Sequence, residues 1–177
     1  LYDKTPPTVA ISYNPAGIYK QGDNVTITAN FTDVNQIAGN PQIAIDFAGT
    51  GSDVPATNMT QVTNKQWTYV MNVPAGNDGT AVVTITASDE AGNPVGTQTG
   101  NTFVVDNAKP YVENYPVVDY AGNAIIVTYS EANMQNAGNA ANYSIPNLVV
   151  GVPVDVGGGN AKVFSLPVTG LVHYLIY

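Results

Sequence analysis

The chain has 177 residues, with 13 acidic and 5 basic side chains, all of the latter lysine, and a net charge of −8. Such a chain lacks the basic patches with which proteins bind DNA, RNA or anionic membranes. It contains no cysteine, which excludes disulfides, thiolate catalysis and cysteine-ligated metals. No apolar run approaches the length of a membrane span, so we expect no membrane insertion.

Two similar stretches divide the chain. Residues 1–9 read LYDKTPPTV and residues 104–112 read VVDNAKPYV; each contains an aspartate, then a proline, then the start of a β-branched strand. Two such stretches, about a hundred residues apart, predict two tandem modules, each reached through a linker stiffened by proline. We therefore expect a first domain at residues 1–107 and a second at residues 108–177.

The first module has the alternation of half-buried β-strands. Apolar and polar residues alternate from residue 24 to residue 32, where the apolar ones are Val25, Ile27, Ala29 and Phe31. This alternation gives the strand one apolar face and one solvent-exposed face. The same period recurs over residues 9–13, 43–47, 67–73, 81–87 and 103–105. Turn-forming residues separate these runs, and residues 48–64 are irregular, with at most a weak edge strand. Short strands with frequent turns predict an antiparallel β-sandwich without long helices.

The second module shows the same period in fewer runs. Strands are predicted around residues 125–129, 148–152 and 164–168, and a last alternating run covers residues 172–177. The module is too short to hold every strand of a sandwich, so we predict that it is truncated, incomplete at its C-terminal end. Because the chain starts with Leu1 and stops within an alternating run, we interpret it as a segment of a longer protein.

Short motifs in the two modules align, and they carry a resemblance to a known family. FTD at residues 31–33 falls on YSE at 129–131, and GN at 39–40 falls on GN at 138–139. The first module resembles the bacterial immunoglobulin-like domains of large repetitive surface proteins and adhesins, through the segments IYKQGDNVTITANFTD, GNPQIAI and VTITASDEAGN. The second resembles a related subtype, through IIVTYSE and ANYSI. The resemblance implies an all-β chain of tandem immunoglobulin-like antiparallel β-sandwiches, the second truncated.

The resemblance also implies a setting and a role. Domains of this family usually act as extracellular spacers, and some bind calcium or carbohydrate. We therefore expect a structural spacer module of a secreted or cell-surface bacterial protein, which presents neighbouring domains of that protein away from the surface. The alternative is an adhesin or a carbohydrate-binding accessory module, whose partners would be host or matrix glycans or proteins. A fold does not by itself identify an activity.

The residue types that support catalysis are scarce. His173 is the only histidine, and it lies within a predicted strand, so neither a catalytic triad nor a histidine metal cluster can be assembled. We expect no enzymatic activity. Trp67 lies on the apolar face of its strand, which predicts a core aromatic residue; a sugar-stacking role would require it to be exposed. By the family resemblance, Tyr174 is expected to cap a sheet corner through its hydroxyl.

Acidic and amide side chains in the predicted turns can be grouped by the end of the sandwich at which they are expected to lie. In an immunoglobulin-like sandwich, the chain start and two of the loops share one pole, and this predicts two groups. The outer group contains Asp3, Asp33, Asn35, Asp89, Glu90 and Asn93; the group at the junction of the modules contains Asn77, Asp78, Asp106, Glu131 and Asn133. Oxygen ligands from several loops suit Ca²⁺, which is the only cofactor that we consider. The alternative is that these residues serve only as turn formers.

Overall fold

A computed structural model describes residues 3–171. Within this range the chain is all-β, and a short 3-10 helix at Ala140–Asn142 is the only helical segment. The chain divides into two compact units, Leu1–Ala108 and Lys109–Tyr177. None of the helical structure in the described range is long and apolar enough to cross a membrane. The roles predicted for His173 and Tyr174 lie outside the described residues.

The strands of the first unit form two sheets. They are β1 (Thr8–Asn14), β2 (Ile18–Tyr19), β3 (Asn24–Thr32), β4 (Ile37–Asp46), β5 (Val54–Asn58), β6 (Thr60–Thr63), β7 (Gln66–Asn72), β8 (Gly79–Asp89), β9 (Gln98–Thr99) and β10 (Thr102–Val105). One sheet has the order β6-β7-β3-β1-β9 and the other the order β2-β10-β8-β4-β5. Neighbours are antiparallel except for two pairs, β1 with β9 and β2 with β10, which are parallel.

The core of the first unit follows from the alternation along its strands. In β3, Val25, Ile27, Ala29 and Phe31 are buried, and the polar residues between them are half-buried. Alternate residues of both sheets contribute to one hydrophobic cluster. Because a strand turns successive side chains to opposite faces, this pattern requires a second apolar layer to cover the first. The predicted all-β class is therefore confirmed, and the architecture of the first unit is sandwich-like.

Trp67 belongs to this core. It is 0% exposed, and its ring lies edge-on to that of Phe31, with 5.4 Å between the ring centroids. Such edge-to-face pairs are favourable beyond the burial of their area. The prediction that Trp67 is a core residue is confirmed, and an indole buried in this way is not a platform for sugars.

The stretch at residues 48–64 is more regular than predicted. It contains β5, which pairs with β4, and β6, which pairs with β7, so each forms an edge of a different sheet. The chain passes from one sheet to the other through Met59, which is buried. Most other side chains in these two strands are exposed. An edge strand of this kind has no apolar face, and hydrophobic alternation therefore does not reveal it.

The second unit has five strands in its described residues. They are β11 (Val112–Asp119), β12 (Ala124–Tyr129), β13 (Val149–Val150), β14 (Val154–Asp155) and β15 (Val163–Thr169). They form one antiparallel arrangement in the order β11-β12-β15-β13, with β14 also paired to β15. A sandwich has two sheets, and the described part of this unit has one.

One strand of the second unit is shorter than predicted. The sequence predicts a strand over residues 148–152, but β13 spans only two residues. Gly151 and Pro153 flank an exposed Val152, and a proline has no N–H with which to continue a ladder. The predicted strand around residues 125–129 corresponds to β12, and that around residues 164–168 corresponds to β15.

Candidate metal centre

Three acidic residues meet at one pole of the first unit, which we call the outer pole. Asp3 precedes β1, Asp33 directly follows β3, and Asp89 is the last residue of β8. Because β1 and β3 are antiparallel, with Thr8 opposite Thr32, the start of β1 lies beside the end of β3. Asp89 reaches the same place from the other sheet, since one carboxylate oxygen from each of the three residues lies within 4.8 Å of the others.

Each of these carboxylates also closes a local turn. Oδ1 of Asp3 accepts from the N–H of Thr5 at 2.8 Å, and Oδ1 of Asp33 accepts from the N–H of Asn35 at 2.7 Å. Oδ1 of Asp89 accepts from the N–H of a residue four positions later, also at 2.8 Å. These are the bonds by which aspartate stabilises turns. Each of the three carboxylates therefore stabilises a turn, and one of its two oxygens accepts the hydrogen bond that does so.

Two asparagine amides connect the acidic residues. Nδ2 of Asn35 donates to Oδ2 of Asp3 at 2.5 Å. Nδ2 of Asn93 donates to Oδ2 of Asp89 at 2.8 Å and to the carbonyl oxygen of Asp3 at 3.3 Å. Asn35 thus lies beside the acidic residues, with its amide N–H turned to Asp3; its predicted role as a metal ligand stays a prediction. These amides provide dipoles but no full charge, so they leave the repulsion among three carboxylates largely in place.

Asp89 is the most buried member of the group, at 1% exposed. Burial raises the pKa of its carboxyl, whereas the side chain of Asn93 and the backbone N–H groups of Asn93, Ala91 and Gly92 lower it. The hydrogen bonds outweigh the burial, and the pKa of Asp89 lies below its ordinary value. The buried carboxyl is therefore charged at neutral pH.

The spacing of the three carboxylates suits one divalent cation. Ca²⁺ binds oxygen at about 2.3–2.6 Å, so a single ion can join oxygens that lie up to about 5 Å apart. The oxygens of Asp3, Asp33 and Asp89 meet this limit. Lys65 brings a positive charge to the same pole, because its ammonium group donates to the carbonyl oxygen of Asp33. This charge offsets only part of the negative charge of the group.

Glu90 does not belong to the group, although the sequence places it with the other ligands. Its backbone N–H donates to the carbonyl oxygen of Gln36 at 3.1 Å, and its side chain is exposed. β8 ends at Asp89, and Glu90 is the first residue of the turn that follows. Asp89 is buried at the pole, whereas Glu90 is exposed to solvent.

Asp106 and Glu131 belong to different units, and a calcium site at the junction of the modules stays a prediction. Oδ1 of Asp106 accepts from the N–H of Ala108 at 3.0 Å, which closes a turn at the end of the first unit. Glu131 lies in a bend after β12 in the second unit. In the same bend Asn133 has a φ of 59° and donates its N–H to the carbonyl oxygen of Asn160 at 2.6 Å.

Asn107 is a structural residue that the sequence does not reveal. Its backbone N–H donates to Oδ1 of Asp78 at 2.9 Å, and its Nδ2 donates to the carbonyl oxygen of Asn77 at 2.5 Å. Its Oδ1 accepts from the N–H of Gln21 at 2.6 Å. We call these three bonds the Asn107 clamp. The partners are 29, 30 and 86 residues away along the chain, so no local motif signals the contact.

No model of a known protein family matches the chain. No curated protein matches it either.

Proposed function

We propose that the chain is a spacer, built from immunoglobulin-like modules of a secreted or cell-surface bacterial protein. In this role it holds neighbouring domains of that protein away from the surface. The motifs of the first module and its sandwich-like architecture support the proposal. The observation that carries it is the Asn107 clamp, because a spacer has to fix the direction in which the chain leaves a module.

The clamp acts beside the end of β10. Asp106 donates its N–H to the carbonyl oxygen of Tyr19 at 2.7 Å, directly after the pair in which Val105 lies opposite Tyr19. Asn107 then binds two further turns of the same unit. The last residues of the first unit are thus held by several hydrogen bonds, each of which contributes about 0.5–1.5 kcal/mol.

The parallel strand pairs suit a chain that is pulled from both ends. β1 and β2 lie near the start of the unit, and their parallel partners β9 and β10 lie near its end. When the two ends are pulled apart, each parallel pair slides along its own length. Its hydrogen bonds are then loaded together instead of one after another, and this raises the force that is needed to extend the unit.

In this proposal the chain has no enzymatic role. The carboxylates of the outer pole accept hydrogen bonds from nearby backbone N–H groups, and they hold turns in place. The net charge of −8 favours solubility and repulsion between copies over binding to nucleic acid or anionic lipid. Both properties suit an extended structural segment outside the cell.

Force–extension measurements on single molecules test the spacer role. The full chain, held by its two ends, should show a high-force unfolding event for the first unit. Asn107→Ala should lower that force, because it removes the side-chain bonds of the clamp. The matched control is Asn40→Ala, which alters an exposed residue of β4. Unfolding at the same force in all three proteins would count against the clamp, and the absence of a high-force event would count against the spacer.

Calcium binding at the outer pole is the second part of the proposal. Asp3, Asp33 and Asp89 come from three separate segments, and one ion would tie the chain start to the ends of β3 and β8. Such a cross-link would stiffen the end of the spacer that the clamp does not reach. Its two positive charges would also offset most of the repulsion among three carboxylates that lie within 4.8 Å of one another.

The alternative, an adhesin or carbohydrate-binding accessory module, is favoured by a different observation. Tyr115 on β11 is 94% exposed and Tyr111 just before this strand is 65% exposed. Exposed aromatic rings are surfaces on which sugars or protein partners can stack. Binding of host or matrix glycans or proteins that Tyr115→Ala abolishes would favour this alternative over the spacer.

A further inference from the structure

Four segments of the chain have the sequence Asn-X-Ser/Thr, which is the acceptor motif for N-linked oligosaccharides in secreted proteins. They begin at Asn24, Asn30, Asn58 and Asn142. A folded protein can carry an oligosaccharide only where the Nδ2 atom of the asparagine can bond to a sugar that lies in solvent. The exposure and the hydrogen bonds of the four asparagines therefore indicate which of them suits this modification.

Two of the motifs lie in β3, which has a paired strand on each side. Asn30 is half-buried, and its Oδ1 accepts from Nε2 of Gln66 at 2.7 Å. Asn24 is exposed, but Nδ2 of Asn72 on the neighbouring strand reaches its Oδ1 at 3.3 Å. The threonine of this motif, Thr26, is half-buried in the middle of the sheet. A large substituent at either asparagine would have to lie against neighbouring strands.

The motif in the second unit already uses the atom to which a sugar would bond. Asn142 is the last residue of the 3-10 helix, and its Nδ2 donates to the carbonyl oxygen of Asn136 at 2.9 Å. A sugar would replace one of the two hydrogens of Nδ2 and crowd this contact. The hydrogen bond thus disfavours modification at Asn142.

Asn58 is free of these constraints. It is the last residue of β5 and is exposed, and its Oδ1 accepts from Nε2 of Gln42 at 3.2 Å. This bond orients the amide, and Nδ2 has no hydrogen bond within the residues that the structure describes. Met59 is buried, and Thr60, which completes the motif, is exposed at the start of β6. Both polar residues of the motif are therefore held in solvent on either side of a buried anchor.

Asn58 also lies between two unprotected strand edges. β5 is the last strand of one sheet and β6 is the last strand of the other. Such edges have unpaired N–H and C=O groups that can pair with another chain, and charged side chains are a common protection against this. Neither strand contains a charged residue, and Val62 of β6 is 54% exposed. Pro55 interrupts β5, but β6 has no proline. A hydrated oligosaccharide at the point where the strands meet would protect both edges.

We propose that Asn58 carries an N-linked oligosaccharide that shields the edges formed by β5 and β6. The inference rests on the extracellular setting of the proposed function, because the transfer takes place outside the cytoplasm. The donor is an oligosaccharide joined through a diphosphate to a membrane lipid, and a transferase of the secreting cell catalyses the step. Nδ2 loses a proton and bonds to the anomeric carbon of the first sugar. The bond from that carbon to the diphosphate breaks, and the lipid diphosphate leaves with the electron pair.

Mass spectrometry of the full chain, secreted from a eukaryotic cell line, tests the site. Peptide N-glycosidase in heavy-oxygen water converts a glycosylated asparagine into a labelled aspartate, and we expect this label at Asn58. Thr60→Ala should remove the label although Asn58 is unchanged, and Thr60→Ser should keep it because the hydroxyl remains. An unlabelled Asn58 in the secreted, unaltered chain overturns the proposal. The spacer role does not affect this result, since it is tested separately by the unfolding force.

Limited proteolysis tests the shielding of the two edges. Among chains secreted from these cells, Thr60→Ala should be cleaved faster within residues 54–63 than the unaltered chain. The matched control is the same pair produced in the bacterial cytoplasm, where neither carries the oligosaccharide and both should be cleaved at the same rate. Equal rates in the secreted pair would contradict the shielding.

Discussion

Asn93 binds both carboxylate oxygens of Asp89. Its backbone N–H donates to Oδ1 and its Nδ2 donates to Oδ2, each at 2.8 Å. The same amide reaches the carbonyl oxygen of Asp3, which lies 90 positions earlier in the chain. One side chain thus joins the end of β8 to the start of the chain.

The first unit is expected to lose stability in acid through Asp89. Hydrogen bonds keep the pKa of Asp89 below its ordinary value when the chain is folded. A carboxyl whose pKa is lower in the folded state stabilises the fold at every pH above its unfolded value, about 3.9. This contribution disappears as the pH falls through the folded value.

Thermal unfolding in the presence of a chelator, from neutral pH to about pH 2, measures this effect. Asp89→Asn should melt below the unaltered chain at neutral pH, and the two curves should converge in acid. A constant difference in melting temperature across the whole range would exclude Asp89 as the titrating group.

Calcium is expected to raise the melting temperature of the first unit. Extracellular modules bind it with dissociation constants of about 10⁻⁴–10⁻³ M. At ~10 mM calcium this affinity would stabilise the folded unit by about 1.4–2.7 kcal/mol. Asp33→Asn should abolish the gain, because it removes one of the three carboxylates of the outer pole.

The matched control for calcium is Asp46→Asn, which removes the same charge from an exposed position at the end of β4. Calorimetric titration should give the same heat for this variant as for the unaltered chain. No heat and no change in melting temperature in any of the proteins would leave Asp3, Asp33 and Asp89 as turn formers only.

Trp67→Ala is expected to destabilise the first unit by about 3–5 kcal/mol, because it opens a cavity in a packed core. The control is Val70→Ala, three residues along β7, where the side chain is 65% exposed. This change should cost no more than about 0.5 kcal/mol. Denaturant unfolding followed by circular dichroism measures both, and similar losses would mean that Trp67 is not a core residue in solution.

Tyr143→Phe is expected to destabilise the second unit by about 1–3 kcal/mol. The variant leaves the carbonyl oxygen of Ala137 and the hydroxyl of Tyr129 without this partner. Tyr115→Phe removes the same hydroxyl from a residue that is 94% exposed, and it should have little effect. The melting of the second unit distinguishes the two, and an unaltered transition in Tyr143→Phe would show that its hydroxyl is replaceable by water.

The alternation of β3 and β7 can be read without a structure, because the face on which a side chain lies depends on local backbone geometry. A two-residue period therefore predicts both the strand and its buried side, as it does for Trp67. The same reasoning misses β5 and β6, whose side chains are mostly exposed at sheet edges. It also overextends β13, which ends before Gly151.

The outer pole could be predicted from the sequence only in part. The meeting of Asp3, Asp33 and Asp89 follows from the order of strands in the resembled fold, once each acid is placed at a strand end. The orientation of each side chain does not follow from that order. Glu90 stands next to Asp89 in sequence, but it lies in the turn after β8 and is exposed, whereas Asp89 is buried.

The all-β class, the positions of the main strands and the burial of Trp67 can be predicted from the residues alone, because the alternation of side chains along a strand depends on local backbone geometry. The Asn107 clamp and the amide links of Asn93 become visible only in the folded chain. Each joins residues that are far apart in the chain, and hydrogen bonds at such distances leave no periodic trace in a sequence. They form when the sheets bring the loops at each of their two ends together.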